Sequence, residues 1–120
     1  MGVRILSFLW GKSKPEVYEM VITQDGLSLE GNERLGAHIE DILHYVEKKA
    51  DDLGLEGQIE IYIKNTSKVI AIKRIGGLGV AVVSSNLTDA VKALEDVETR
   101  ANELLSDRYL EAIEEYRRSK

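Results

Sequence analysis

From Glu16 to Thr23 the chain alternates, with Val17, Val21 and Thr23 on one side and Tyr18, Met20 and Ile22 on the other. That period of two predicts a strand buried on at least one face. Pro15, the only proline, marks where the pattern begins. Asp25-Gly26 is a hairpin-turn dipeptide, and Leu27-Ser28-Leu29 reads as the short returning strand. The period then changes. Leu35, Ile39, Ile42, Leu43, Val46, Ala50 and Leu53 recur at three- and four-residue steps, which predicts a helix capped by Asn32 and stopped by Gly54. Its apolar stripe is wide, running from Tyr45 and His38 on one flank through Leu35 and Val46 to Leu43. Glu40, His44, Glu47 and Asp51 are expected on the wet face.

Alternation returns at Gln58 to Lys64, where Ile59, Ile61 and Ile63 oppose Glu60, Tyr62 and Lys64. The polar turn Asn65-Thr66-Ser67, a strand from Lys68 to Ile75, the turn Gly76-Gly77 and a strand from Leu78 to Ser84 follow. Strands joined by turns this short are antiparallel neighbours. A final helix is predicted over 87–118, capped by Asn86 or Thr88, with a stripe that includes Leu94, Val97, Ala101, Leu105, Tyr109, Ile113 and Tyr116. Its length, roughly 45 Å, exceeds the roughly 23 Å of a seven-residue strand. Its end should therefore overhang the sheet, carrying Tyr109, Ile113 and Tyr116 towards another surface.

Composition narrows the chemistry. At 120 residues with 43% hydrophobic and 31% charged residues, the chain has the makeup of one globular domain. No cysteine is present, which excludes disulfides, thiolate metal sites and thiol catalysis. The net charge of -5 argues against a nucleic-acid surface. Few Asn and Gln beside abundant Glu, Lys and Ile is a composition seen in heat-adapted proteins.

Residues 1–14 form an apolar and basic segment ahead of a single domain over 15–120. Val3, Ile5, Leu6, Phe8, Leu9 and Trp10 sit among Arg4, Lys12 and Lys14. The run is far shorter than the ~20 residues of a spanning helix, and no cleavage signal follows it. Two readings stand. Phe8, Leu9, Trp10, Lys12 and Lys14 suit weak peripheral contact with a membrane, or Leu6, Phe8 and Trp10 pack against the final helix.

Strand, strand, helix, three strands, helix describes one five-stranded antiparallel sheet with an amphipathic helix on each face, an α+β fold. In that order, and in four local stretches, the chain resembles the roadblock family, named for the dynein light-chain roadblock proteins. The stretches are Thr23-Gln24-Asp25-Gly26-Leu27, the helix end Leu53-Gly54, the hairpin IEIYIKNTSKVIAIKR over 59–74, and Gly76-Gly77-Leu78-Gly79-Val80 followed by Asn86-Leu87. The likeness covers roughly 16–106. It departs at the start, where the family places a helix before the first strand. The overhanging 105–116 region, or the N-terminal segment, is expected to fill that helix's place.

The resemblance implies a roadblock/profilin-like homodimer, paired through the third strand and the middle helix into one continuous sheet. On this chain those residues are His38, Ile42, Tyr45 and Lys49 of the helix and Ile59, Ile61 and Ile63 of the strand. The residues give independent support, because an open edge carrying three isoleucines has few features that resist unwanted pairing. The resemblance further implies a non-catalytic, cytoplasmic scaffold that binds and regulates a small Ras-like GTPase. The alternative is a membrane or complex-assembly adaptor that uses the N-terminal segment and the final helix.

No catalytic or metal site, and no cofactor, is indicated. His38 and His44 point to different faces of one helix. Ser67, Ser84 and Ser85 have no neighbouring histidine in sequence to act as base. The glycines at 76, 77 and 79 join two strands and do not open a helix, so they lack the context of a phosphate cradle. A small enzyme or sensor would need convergent polar groups, and the pattern supplies none.

Overall fold

The computed structural model describes residues 15–119. Its strands are β1 (Val17–Gln24), β2 (Leu27–Gly31), β3 (Glu60–Lys64), β4 (Val69–Ile75) and β5 (Leu78–Ser84). Its helices are α1 (Glu33–Asp52) and α2 (Leu87–Arg118). The strands form one antiparallel sheet in the order β2-β1-β5-β4-β3. β1 lands beside β5, so the two outer hairpins are stitched together at the centre. β2 and β3 are left as the edges.

Local chemistry sets the joints. Asp25 and Gly26 both have positive φ, 52° and 87°, as the right-handed twist of a two-residue hairpin demands. The side chain of Asn32 accepts from the amide of Arg34, and that of Asn86 from Asp89, so each helix opens on the asparagine cap expected of it. Asn65 Oδ1 accepts from the amides of Ser67 and Lys68 and closes the β3–β4 turn. β3 begins at Glu60, not at Gln58. Gln58 spends its side-chain amide on the Arg74 carbonyl instead (2.9 Å), and Gly57 turns the chain at φ 92°.

The sheet has a helix on each face, as the period change predicts. Ile22, Val69, Ala71, Val80 and Val82 pack under Ala90, Ala93, Leu94, Val97 and Ala101 of α2. Val21, Ile72 and Ala81 pack under Ile39 and Leu43 of α1. Alternate residues of one strand thus serve two cores. β5, whose seven residues are all buried, is covered on both faces, which removes its apolar side chains from water.

One strand assignment needs correction. Val17 was grouped with Val21 and Thr23, yet it lies with Met20 and Val82 on the α2 face. A register shift between Val17 and Glu19 in the β1–β5 pairing inserts an extra residue there. Such a bulge reverses the side-chain parity of everything before it.

Candidate interaction surface

Three groups of α1 and β4 decide how the middle helix sits. Glu40, expected in water, is only 6% exposed. Arg74 Nη1 and Nη2 donate to its two carboxylate oxygens at 3.1 and 2.9 Å. Arg74 Nε and Nη2 also reach the carboxylate of Glu47, at 3.3 and 2.8 Å. His44 Nε2 lies 3.0 Å from Glu40 Oε1 on the exposed side. Glu40 and Glu47, two turns apart, therefore clamp one guanidinium. The hydrogen bond from Arg74 holds the Glu47 carboxyl below its ordinary range, against the opposing effect of burial. Arg74 is in turn held charged, by hydrogen bonding to Glu47 first and Glu40 next. A helix pattern alone cannot reveal such a pair, because its partner lies on another strand.

Gly79 lets the clamp close. A Cβ placed there would stand 2.8 Å from Leu43 Cδ1 and 3.0 Å from Thr23 Cγ2. Without one, α1 drops onto β5 directly beside Arg74, the cross-strand partner of Gly79. This close approach is the reason for a glycine inside a strand.

With Glu40 and Glu47 tied to the Arg74 end of β4, the opposite flank of α1 faces along the sheet. That flank carries Leu35, Ile42, Val46 and Lys49, with His38 and Tyr45 beyond them, at 100° per residue. Ile42 and Leu35 are half-buried against the same core as Ile61 and Ile70. Ile61 pairs with Ile72, and Ile63 with Ile70, so both β3 isoleucines lie on the α1 face. Ile59 stands just before the strand, half-buried. Tyr45 is 66% and Ile63 44% exposed. Lys49 Nζ rests 5.7 Å from the centre of the Tyr45 ring, a cation–π contact that leaves the ring's outer side open. His38, Ile42, Tyr45 and Lys49 thus share one flank of α1, and Ile61 and Ile63 lie on the sheet face that α1 covers, at the free edge β3.

Leu53 and Leu55, 75% and 60% exposed, follow the end of α1. Leu53 is the last rung of the helix stripe in the sequence pattern, and Leu55 lies beyond it. Val46 of the helix stripe and Ile70 of β4 are both half-buried.

Tyr109, Ile113 and Tyr116 lie on the last turns of α2. Leu104 and Leu105 of α2 pack on the α2-face core, and Leu105 covers the Gly76 turn. Arg108 donates to Gln24 at the β1–β2 turn. Beyond Arg108 the helix continues for ten residues, about 15 Å, past the strand ends. Tyr109, Leu110 and Tyr116 are exposed there and Ile113 is half-buried. The overhang is as expected. α2 leaves the sheet because it follows the strand direction and is longer than the strands. Phe8, Leu9, Trp10, Lys12 and Lys14 lie outside the described residues.

On the α2 face a small polar cleft of about 130 Å³ holds Lys73 between Glu98 (2.9 Å) and Glu60 (3.5 Å). The hydrogen bond to Glu98 raises the Lys73 ammonium above its ordinary range. Tyr62 donates to Glu60 at 2.9 Å. Lys73, Glu60, Glu98 and Tyr62 are thus engaged with one another. Ser84 donates to the Glu16 carbonyl and Ser85 to the Glu16 carboxylate, so their hydroxyls bridge β5 to the start of β1. Among the described residues no cluster of His, Asp and Glu has metal-binding geometry, and no helix is long and apolar enough to cross a membrane. Compared with protein-family models and with curated proteins, the chain matches none.

Proposed function

We propose that the protein is a non-catalytic homodimeric scaffold, pairing through the β3 edge and the Ile42–Tyr45–Lys49 flank of α1. One observation carries this reading. The β3 edge is open and carries Ile61 and Ile63 on the α1 face of the sheet, and α1 on that same face presents an apolar flank with exposed Tyr45 and the polar His38 and Lys49. A two-fold axis beside β3 would let each copy offer the same patch to the other, the self-complementarity that closed dimers require. Main-chain hydrogen bonds across β3 would extend the sheet to ten strands and remove the exposed edge. Exposed tyrosine with a half-buried aliphatic surround suits the core of such an interface.

The partner is proposed on the element order and the four stretches that resemble roadblock proteins. A paired sheet with two α1 helices on one face gives a broad platform, and we assign it to a small Ras-like GTPase in the cytoplasm. The exposed end of α2 favours a second reading, an assembly or membrane-peripheral adaptor in which Tyr109, Leu110 and Tyr116 dock on a further component.

Light scattering on the purified full chain tests the pairing. A dimer has twice the 13.4 kDa chain mass, and a monomer at every concentration overturns it. Affinity capture from source lysate, with a non-hydrolysable GTP analogue in one arm and GDP in the other, tests the partner. Enrichment of a small GTPase in one arm supports the scaffold. Equal recovery of complex or membrane components in both arms transfers the assignment to the adaptor.

A further inference from the structure

An open groove of about 360 Å³ runs between α2 and the β1–β5 pair. Pro15, Val17, Met20 and Val82 form one wall and Ala93 and Val97 the other, with the exposed Asp96 at the rim. Its lining is almost wholly apolar, and its volume is that of a small ligand site. Among its lining residues only Asp96 is charged, so it fits an apolar side chain better than a polar metabolite.

Pro15 is both a wall of this groove and the first described residue, so the chain preceding it joins the fold at the groove's mouth. Trp10 stands five residues before Pro15, a reach of at most about 17 Å when extended. Ala93 and Val97 are one turn apart, about 6 Å along α2, so the whole groove lies within that reach. Lys12 and Lys14 fall between Trp10 and Pro15, opposite in sign to Asp96. Chain length, attachment point, hydrophobicity and charge thus single out the same occupant.

We infer that the chain's own N-terminal segment docks in this groove, inserting the Trp10 ring between Val17, Met20 and Val97 and laying its lysines over Asp96. Burying a ring of this size removes a large apolar surface from water on both partners. The groove lies on the α2 face, opposite the α1 face of the proposed dimer, so the inference stands apart from that reading.

Trp10 is the only tryptophan, so the fluorescence of the full-length protein reports this one position. Docking predicts blue-shifted emission and several-fold weaker quenching by acrylamide than in the same chain unfolded in guanidinium. Val17→Lys places a charge in the groove wall, and Asp96→Lys reverses the rim. Each is expected to move emission to the red and restore quenching, with the far-ultraviolet circular dichroism unchanged. Both positions are exposed, and Asp96→Lys keeps the test valid if Val17→Lys fails to fold. Emission typical of indole in water in the wild-type protein overturns the inference, as does protection that neither variant alters. Protection lost on dilution also overturns it, in favour of a segment from another chain. A blue shift that appears only on adding phosphatidylserine vesicles overturns it in favour of membrane contact.

Discussion

Arg74 is the residue on which the seating of α1 depends most. It satisfies a carboxylate that is almost fully removed from water and a second that is half-exposed. Deleting the guanidinium leaves Glu40 buried without a counter-charge, the situation in which a buried pair becomes most costly to break. Arg74→Ala is expected to lower unfolding free energy by about 3 kcal/mol, measured by urea denaturation. Arg74→Lys should recover only part of that loss, because an ammonium cannot serve two carboxylates in one plane. The pH dependence has a definite sign. The Glu47 carboxyl titrates lower in the folded protein than in the unfolded chain. Its contribution is complete above the unfolded carboxylate range and is lost as pH falls through the lowered folded value. The melting temperature should therefore drop on acidification below about pH 4, and Glu47→Gln should flatten that limb. An identical acid limb in wild type and variant would show that the clamp does not set it.

α1 and α2 use the sheet differently. α1 is anchored at one end of the strands by the Arg74 clamp and the close approach at Gly79. α2 follows the strands and runs off them after Arg108. Because Tyr109, Leu110 and Tyr116 are exposed, truncation after Arg108 removes little buried surface. The melting temperature is expected to change by less than about 4 °C, read by circular dichroism. A larger drop would mean that the overhang is covered in solution. β3 is the weakest strand, with one neighbour and four of its five residues exposed. Hydrogen exchange should thus be faster in β3 than in β5 for the monomer, since locally exposed strands open first.

The proposed pairing makes the opposite demand on β3, because a strand paired on both sides is protected. Ile63→Lys separates the two cases. Ile63 is 44% exposed in the single chain, so the substitution should leave monomer stability nearly intact while placing like charges face to face across the two-fold axis. Halving of the mass in light scattering, at an unchanged circular dichroism spectrum, is the expected outcome. A variant that stays dimeric would move the interface elsewhere. Much of this architecture is legible in the chain. The change of period from two to three-and-a-half and back, the asparagine caps and the Asp25-Gly26 turn name every element to within a few residues, because each is a local decision made by near neighbours. Assigning Ile42 and Tyr45 to one flank of the helix, and Ile61 and Ile63 to one face of their strand, was also within reach, since period and strand parity assign faces. Where Glu40 and Glu47 would go was not, because a carboxylate on a helix reads as solvated until an arginine from a strand thirty-four residues away meets it. Val17 escaped for a related reason. A bulge is a property of two paired strands, and the alternation of one strand carries no trace of its partner's register. The chain's own pattern specifies which segments are helix and strand and which faces are apolar. Charge pairing, register and the groove at Pro15 arise only once distant segments are packed together.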